Sequence, residues 1–410
     1  GSGPAGLSAA YQLAKLGYQV SLFDASDQLG GVLRNGIPEY RLPREVLDRE
    51  LGFILMHGVT AYTDAHIDRA ALSDLTQHYA AVFVATGLQE SRSLDLGDAE
   101  NFVRQGIDFL EGVHRGEENV AGQRVVVIGG GNTAIDAARS ARRLGAESVQ
   151  ITYRRTRAEM PAIAEEIDAA IEEGVVLEEL ALPIRIARHG SLAELTCVRM
   201  HLGEPDASGR RQPVRESGPA AEFVVRCDKV ILALGQSADI SMLPEGNEIH
   251  DNGHVVGITS APLFIGGDLG KNEGTVAAAI GSGRRAALQI HCTLTGHDMM
   301  LPEEREVAAA NIVRTRTFAH APRQRSATID GNLREHTFAE VHRGIADASA
   351  EAKRCFSCGV CNSCDRCLTY CPEGVLTTDG DTYTFNFDYC KGCGVCATEC
   401  PRGVIVMSEI

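Results

Sequence analysis

The stretches CNSCDRCLTYCP, residues 361–372, and CKGCGVCATECP, residues 390–401, decide how the C-terminal end of this chain folds. Both follow the spacing C-x2-C-x2-C-x3-C-P. Cysteines with this spacing hold a pair of 4Fe-4S clusters, and the fourth cysteine of each run ligates the cluster of the other run. The pattern therefore assigns one cluster to Cys361, Cys364, Cys367 and Cys400, and a second cluster to Cys371, Cys390, Cys393 and Cys396.

The same cysteines have two other interpretations. In a zinc site, a C-x2-C pair usually shares the metal with a second cysteine pair or with histidines a dozen or more residues away. Two identical runs of four cysteines fit that pattern poorly. A disulfide framework belongs to short secreted chains. Cys355 and Cys358 continue the spacing backwards, but a third metal site would need two more donors, so we expect unligated thiols there. The sequence predicts a small α+β domain of the bacterial ferredoxin type at 355–410.

Length and composition limit what the rest of the chain can be. With 410 residues, 43 glycines and 44% hydrophobic residues, it is long enough for several glycine-rich α/β domains. A formal charge of -16 without an extended basic face argues against a nucleic-acid partner. No apolar run approaches the ~18 residues of a membrane span, and no positively charged leader is present. We therefore expect a cytoplasmic protein without a membrane span.

GSGPAG, residues 1–6, opens a dinucleotide-binding fingerprint of the form G-x-G-x-x-G. A helical apolar pattern follows it, and then the strand YQVSLFD, which ends at Asp24. Glycines in this pattern permit the tight turn and the close approach of pyrophosphate to a helix N-terminus, and the acid bonds a ribose hydroxyl. Because such a loop is fed by a strand, we expect a strand upstream of Gly1.

A second fingerprint lies at residues 124–155, RVVVIGGGNTAIDAARSARRLGAESVQITYRR. Here the second strand ends in Arg154 and Arg155, with Arg157 beyond, instead of in an acid. Guanidinium groups at this place suit the 2'-phosphate of NADP, whereas the acid of the first fingerprint suits an unphosphorylated ribose. The pattern favours FAD at the first site and NADP(H) at the second. Alternatively, these arginines lie in a solvated loop or contact the phosphates of NAD.

Further candidate contacts follow the strands that end in VATG at residue 87, in ALG at residue 235 and in IGGDL at residue 269. Small residues there let the backbone pack close to a cofactor, and Asp268 is placed to accept a hydrogen bond from a polyol. The FAD candidates are Gly1, Gly3, Pro4, Ala5, Gly6, Asp24, Gly31, Leu33, Arg34, Ala85, Thr86, Gly87, Gly267, Asp268 and Thr275. The NAD(P) candidates are Gly129, Gly131, Asn132, Thr133, Ala134, Arg154, Arg155 and Gly235.

The order GSGPAG, LGGVLRNGIPEYRLP, VATG, GGGNTAID, YRR, ALGQSAD, IGGDL resembles the small subunit of glutamate synthase and its relatives. These relatives include the electron-input flavoproteins of 2-oxoacid oxidoreductases, such as phenylglyoxylate dehydrogenase, and of dissimilatory sulfite reductase. The resemblance implies an α/β fold with two Rossmann-like, glutathione-reductase-like domains. It places a discontinuous FAD domain at 1–118 and 228–300, and an inserted NAD(P) domain at 119–227.

Residues 301–354 show little periodicity and are predicted to form a linker. Its end, together with the first cysteines, TFAEVHRGIADASAEAKRCFSCG, is similar to the lead-in of the N-terminal cysteine-rich module in the glutamate synthase group. In this chain the segment precedes a C-terminal cysteine-rich module instead. The order in which electrons pass between cofactors in that family therefore does not transfer to this chain. The portion DYCKGCGVCATECP looks like the ferredoxin subunits of 2-oxoacid:ferredoxin oxidoreductases.

These cofactors together indicate electron transfer. Nicotinamides exchange two electrons, 4Fe-4S clusters exchange one, and a flavin does both, so no side-chain acid or base is demanded. The expected protein is an NAD(P)H:acceptor oxidoreductase subunit of a larger complex. The first choice of partner is a 2-oxoacid oxidoreductase, and the next choices are a sulfite reductase and a glutamate synthase large subunit. The alternative enzyme is a stand-alone NAD(P)H:ferredoxin oxidoreductase, and a rival from another class is a redox sensor. The direction of electron flow is not encoded.

Overall fold

The computed structural model describes residues 1–94, 96–97, 100–205, 209–246, 248–250, 253–256, 259–270, 274–297, 308, 311–380 and 382–408. The chain forms two compact units. The first contains Gly1–Met299 and Thr328–His342, and the second contains Met300–Ala327 and Arg343–Ile410. The domain boundary predicted between residues 300 and 301 lies outside the described residues.

The first unit is a mixed α/β structure. Its helices are α1 (Pro4–Lys15), α2 (Val32–Asn35), α3 (Arg44–Leu55), α4 (Arg69–His78), α5 (Gly106–Arg115), α6 (Asn132–Arg143), α7 (Ala164–Glu172), α8 (Val276–Thr295) and α9 (Gly331–Arg334). Its strands are β1 (Val20–Phe23), β2 (Val59–Tyr62), β3 (Val82–Val84), β4 (Glu90–Ser91), β5 (Val103–Gln105), β6 (Arg124–Ile128), β7 (Ser148–Tyr153), β8 (Val176–Glu179), β9 (Ala181–His189), β10 (Leu192–Pro205), β11 (Arg211–Arg215), β12 (Glu222–Cys227), β13 (Lys229–Leu232), β14 (Gln236–Ser237), β15 (Glu248–Ile249), β16 (His254–Val256) and β17 (Leu263–Ile265).

Residues on both sides of the second fingerprint build one part of this unit. Strand β17 pairs in parallel with β3, and β1 pairs in parallel with β2. Helix α1 packs along α8, and a side chain at Gly283 would clash with the carbonyl of Ala5. The small residues of α1 and α8 therefore let the two helices approach closely behind the first fingerprint.

The second fingerprint belongs to a five-stranded parallel sheet in the order β5-β13-β6-β7-β8. Its central strand β6 is buried from Val125 to Ile128, as expected for a parallel sheet covered on both faces. An antiparallel sheet is inserted between β8 and β13 in sequence, and in it β10 pairs with β9, β11 and β12. The parallel sheet presents the carboxyl end of β6 to the glycine loop before α6.

The second unit is small. It contains α10 (Ala348–Ala352), α11 (Arg366–Thr369), α12 (Val395–Glu399) and the antiparallel hairpin β18 (Leu376–Asp379) and β19 (Thr382–Phe385). Each of α11 and α12 lies inside one of the cysteine runs. Among the residues that the structure describes, no helix has the length and apolar character needed to cross a membrane.

Candidate cofactor sites

The first glycine loop leaves an open space at the N-terminus of α1. Gly3 caps the helix, Pro4 follows at its first position, and a side chain at Gly3 would meet no atom within 4 Å. Side chains at Gly1 and Gly6, in contrast, would clash with the carbonyls of Ala85 and Gly1. The loop thus packs tightly against the protein at Gly1 and Gly6 and leaves free space at Gly3. Pyrophosphate binding at a helix N-terminus requires such space.

Asp24 lies at the end of β1, next to this loop. Its carboxylate accepts hydrogen bonds from Ser2 N at 2.6 Å, Ser2 Oγ at 2.7 Å and Ser26 N at 2.9 Å. Burial would raise the pKa of Asp24, but these hydrogen bonds outweigh it and leave the pKa below its usual value. Asp24 is therefore an ionised acceptor of fixed orientation, which suits a ribose diol.

The predicted segment from Gly31 to Arg34 borders the same loop. Gly31 has a φ of 53°, and a side chain there would lie 3.0 Å from Gly3 Cα. Leu33 packs against the apolar core beneath it. Arg34 is buried, donates from Nε to Leu29 O at 2.6 Å and pairs with Asp48. The Arg34 guanidinium therefore already has partners within the protein.

Thr86 Oγ1 and Asp268 Oδ1 are buried oxygen atoms that lack hydrogen-bond partners within the described chain. Burial raises the pKa of Asp268. A buried polar atom without a partner is costly unless a ligand completes it. Around them, Ala85 is buried, Gly87 and Gly267 have φ values of 72° and 64°, and Thr275 caps α8 through Ala278 N. These features fit FAD, since its ribityl hydroxyls would supply the missing hydrogen-bond donors.

The second glycine loop precedes α6 and repeats the same arrangement. A side chain at Gly129 would clash with the carbonyl of Ala233, whereas one at Gly131, the helix cap, would meet nothing within 4 Å. Gly235 is likewise open, with a φ of 91°. The remaining candidates have partners within the protein. Asn132 Oδ1 accepts from Ile163 N at 3.0 Å, a side chain at Gly106 would lie 3.2 Å from Thr133 Cγ2, and Ala134 is completely buried.

The three arginines after β7 have different surroundings. Arg154 is exposed. Arg155 is buried and donates from Nε to the backbone carbonyl of Arg211 at 2.8 Å. Arg157 pairs with Asp168. Arg154 is therefore the guanidinium that a phosphate can reach most easily, while Arg155 also anchors the strand β11.

The two cysteine runs of the second unit have equivalent local structures. The backbone N–H of Ser363 donates to Cys361 Sγ, and that of Gly392 donates to Cys390 Sγ, each at 3.5 Å. The backbone N–H groups of Val375 and Val404 donate to Cys371 and Cys400. Asp365 and Gly394, which cap α11 and α12, both have positive φ values. This correspondence supports the assignment of Cys361 and Cys390 as the first ligands of two cluster loops.

The remaining ligand candidates lie in or beside the short helices: Cys364, Cys367, Cys393 and Cys396. Burial raises the pKa of the Cys367 and Cys396 thiols. Thiolates within reach of backbone N–H groups are the donor set that 4Fe-4S clusters use. In the described part of the chain, no three His, Cys, Asp or Glu side chains are grouped as ligands of a single metal ion.

Two further features were not foreseen from the sequence. Ser2 Oγ also accepts from Gly30 N at 3.0 Å, so this hydroxyl joins the two loops of the first site. Cys355 Sγ accepts from Ser357 N at 3.4 Å, in the same type of turn as Cys361 and Cys390. The serine inside the G-x-G pattern could have signalled the first contact, whereas the second depends on the backbone conformation.

Family models match two parts of the chain. The model for pyridine nucleotide-disulphide oxidoreductases matches residues 1–256, and the model for a 4Fe-4S dicluster domain matches residues 360–404. These matches confirm the predicted cofactors FAD, NAD(P)H and two 4Fe-4S clusters. They leave the roles of individual residues as predictions.

Curated relatives match long stretches of this chain. The NADP(+)-dependent formate dehydrogenase subunit beta of Moorella thermoacetica is 44% identical over 302 residues, which cover 71% of this chain and 42% of that protein. The NADPH-Fe(3+) oxidoreductase subunit beta of Geobacter sulfurreducens is 36% identical over 410 residues, covering 87% of this chain and 60% of that protein. The glutamate synthase [NADPH] small chain of Azospirillum brasilense is 36% identical, covering 71% and 65%. The chain spans 42% to 60% of the length of the first two relatives.

Solved structures confirm the fold class. Mycobacterium tuberculosis FprA in complex with NADPH matches with a TM-score of 0.59 at 16% identity, covering 74% of this chain and 86% of that one. Lactococcus lactis thioredoxin reductase matches with a TM-score of 0.53 at 17% identity, covering 72% and 98%. The predicted α/β architecture and the predicted relationship to the glutamate synthase small subunit are both confirmed.

Proposed function

Because the chain belongs to the pyridine nucleotide-disulphide oxidoreductase family, we propose that it carries electrons between NADP(H) and a catalytic subunit of a larger redox complex. Bound FAD exchanges hydride with the nicotinamide and single electrons with 4Fe-4S clusters, so it connects the two kinds of carrier. The observation that carries the proposal is that one chain contains two open glycine loops and two equivalent cysteine runs.

The first site supplies the groups that FAD needs. The open N-terminus of α1 at Gly3 binds the pyrophosphate through backbone N–H groups and the helix dipole. Asp24 would accept a hydrogen bond from the adenosine ribose of FAD, and the unpartnered oxygens of Asp268 and Thr86 would bind its ribityl hydroxyls. These residues bind and orient FAD, and none of them has to transfer a proton.

The second site selects the nicotinamide nucleotide. Gly131 leaves room for the pyrophosphate at the start of α6, and Arg154 pairs with a 2'-phosphate. An exposed guanidinium forms a charge-assisted contact with phosphate that NADH cannot offer. This contact is the basis for preferring NADPH, and two of the relatives carry NADPH in their names.

The second unit holds the clusters through the eight cysteines of the two runs. Backbone N–H groups that point at Cys361, Cys371, Cys390 and Cys400 stabilise negative charge on sulfur. Such hydrogen bonds are one of the means by which a protein adjusts cluster potential.

The partner is a subunit whose redox centre supplies or accepts single electrons. Three relatives are named as parts of larger enzymes: a formate dehydrogenase, an NADPH-Fe(3+) oxidoreductase and a glutamate synthase. A glutamate synthase was among the partners expected from the sequence, after a 2-oxoacid oxidoreductase and beside a sulfite reductase, whereas the other two names add further classes of partner. The alternative, a stand-alone NAD(P)H:ferredoxin oxidoreductase, predicts that the native protein elutes as a single-gene species on gel filtration.

The proposal is tested by purifying the native protein anaerobically under mild conditions and identifying the chains that co-elute with it. We expect a second, catalytic subunit and NADPH-dependent reduction of its redox centre. The matched variant C361S/C390S should still reduce its flavin with NADPH but pass no electrons to that subunit. Equal transfer by the variant and the native chain would contradict the proposed path.

A further inference from the structure

Within the predicted linker, residues Thr328–His342 belong to the first unit. We call this segment the strap. Its two ends meet in a bridge between Thr328 and His342, and Ile329 N donates to Val341 O at 3.1 Å. The strap is therefore a closed loop with a fixed position on the first unit.

The strap contacts both dinucleotide-binding parts. Val341 N donates to Tyr40 O at 3.0 Å, which attaches the strap to the loop that follows α2. On the other side, Arg143 Nε in α6 donates to Thr337 O at 3.1 Å, and Arg142 pairs with Glu335 at 2.5 Å. One short segment thus contacts the loop that borders the FAD site and the helix that begins at the NAD(P) site.

A buried charged cluster lies beneath the strap. Tyr40 is completely buried, and the guanidinium of Arg143 lies 3.9 Å from its ring centre. Glu173 is also completely buried and accepts hydrogen bonds from Arg139 and Arg143. Arg334 of the strap pairs with Glu172 at 3.1 Å and lies 3.9 Å from Glu173. Three arginines surround Glu173, so removing Glu173 would leave the buried Arg143 without the carboxylate that it pairs with.

Arg41 connects this cluster to the loop beside the FAD site. Its Nη1 lies 2.8 Å from both carboxylate oxygens of Asp136, and its Nε lies 3.6 Å from Glu166. Asp136 is buried in the second turn of α6, directly after the glycine loop for the nicotinamide nucleotide. Arg41 follows α2 by a few residues, and the N-cap of α2 is Gly31, which lies beside the first glycine loop. The Arg41–Asp136 pair therefore ties the FAD-side loop to the NAD(P)-side helix.

We propose that Arg41 is a positioning residue for hydride transfer, and that the strap holds Arg41 and Tyr40 against α6 so that the two dinucleotides meet at a fixed distance and angle. The inference rests on the proposed function. Transfer of a hydride requires the reacting atoms to lie about 3 to 3.5 Å apart, and a displacement of about 1 Å can cost on the order of 100-fold in rate. A linkage of this kind would affect the rate of flavin reduction more than the affinity for either nucleotide.

The test compares Arg41→Gln and Arg41→Lys with Arg49→Gln, a control in which an exposed arginine loses its exposed partner Glu50. Anaerobic stopped-flow mixing with NADPH measures the rate constant of flavin bleaching per bound FAD, and a titration measures the dissociation constant of NADPH. We expect the rate constant to fall by about 10- to 100-fold in Arg41→Gln and by less in Arg41→Lys. The NADPH dissociation constant should change by less than about 3-fold, and Arg49→Gln should match the native protein.

A purely structural role for Arg41 would lower FAD content and melting temperature but leave the rate per bound FAD unchanged, and that result would overturn the inference. If Arg41→Gln retains no FAD, Arg41→Lys and Glu335→Gln are measured instead, since Glu335 lies at the edge of the cluster. Both should then slow flavin bleaching, and native rates in both would equally overturn it. If the native protein itself shows no bleaching with NADPH or NADH, the proposed function fails rather than the positioning role.

Discussion

Asp24 accepts two hydrogen bonds from Ser2, one from its backbone N at 2.6 Å and one from its Oγ at 2.7 Å. The same Oγ accepts from Gly30 N at 3.0 Å. Ser2 therefore joins the first glycine loop, the acid at the end of β1 and the loop that carries Gly31. In the proposed function these three segments form the binding site of the adenosine half of FAD.

Replacing Ser2 with alanine should weaken FAD binding without unfolding the protein. The change removes the hydroxyl contacts to Asp24 and Gly30 but keeps the backbone bond, so we expect a loss of about 1 to 1.5 kcal/mol, or roughly tenfold in affinity. FAD release can be followed by the rise in flavin fluorescence on dilution. Ser8→Ala in α1 is the control, since its Oγ makes one exposed contact with Ile280 O. Identical release from both variants would contradict this role of Ser2.

Replacing Arg154 with glutamine should lower kcat/KM for NADPH by about 10- to 100-fold, because a charge-assisted contact with the 2'-phosphate contributes about 1.5 to 3 kcal/mol. The value for NADH should stay within about threefold, since NADH lacks that phosphate. The measurement is steady-state reduction of an acceptor dye with each nucleotide. Arg226→Gln, which loses an exposed pair with Glu194, serves as control. A loss of the same size with both nucleotides would remove the preference for NADP(H).

Single serine replacements should separate cluster ligands from the other thiols of the second unit. Cys361→Ser removes a predicted ligand and should reduce bound iron and sulfide to about half. Cys355→Ser changes a cysteine in a similar turn, 3.4 Å from Ser357 N, and should leave the iron content at the native level. Iron and acid-labile sulfide analysis of anaerobically purified protein decides between them. If Cys355→Ser loses as much iron as Cys361→Ser, Cys355 is a ligand and our assignment is wrong.

The stability of the first unit should depend on the ionisation of Asp136. Burial raises the pKa of Asp136 to about 6, although Arg41 lies beside it, while an unfolded aspartate has a pKa of about 3.9. The resulting contribution to stability is fully present below pH ~4 and is lost as pH rises through about 6. Asp136→Asn lacks this dependence.

Between about pH 5 and 7 the native protein should therefore lose roughly 1 kcal/mol relative to Asp136→Asn. Loss of the Arg41 contact adds an offset that does not change this trend. Thermal unfolding followed by circular dichroism at both pH values gives the difference in melting temperature between the two proteins. A difference that stays constant across this range would contradict the raised pKa.

The sequence predicted the fold class and the cofactors because both depend on local patterns. Gly3 and Gly131 lie at helix N-termini with open space, as G-x-G requires, and Cys361 and Cys390 occupy equivalent turns. In such motifs, residues adjacent in sequence determine the backbone conformation of the site. The motif alone therefore indicates the type of site.

Contacts between segments far apart in the chain could not be predicted. The Nε of Arg155, a predicted phosphate contact, also donates to the carbonyl of Arg211, and no sequence pattern indicated this bond because the pairing of β10 with β11 brings Arg211 close. Residues 328–342 show no periodicity, yet Arg334 is buried there between acids of the NAD(P) part. A charged side chain is buried where the fold brings an oppositely charged partner beside it. The spacing of residues along the chain does not indicate which distant residue that partner is.

The central claim is that one chain passes electrons from a nicotinamide nucleotide through FAD to two 4Fe-4S clusters. It is tested most directly by anaerobic titration of the cluster-replete protein with NADPH, followed by optical and electron paramagnetic resonance spectroscopy. We expect flavin absorbance to bleach and signals of reduced 4Fe-4S clusters to appear in the same sample. Bleached flavin with clusters that stay oxidised under NADPH but accept electrons from dithionite would contradict the claim.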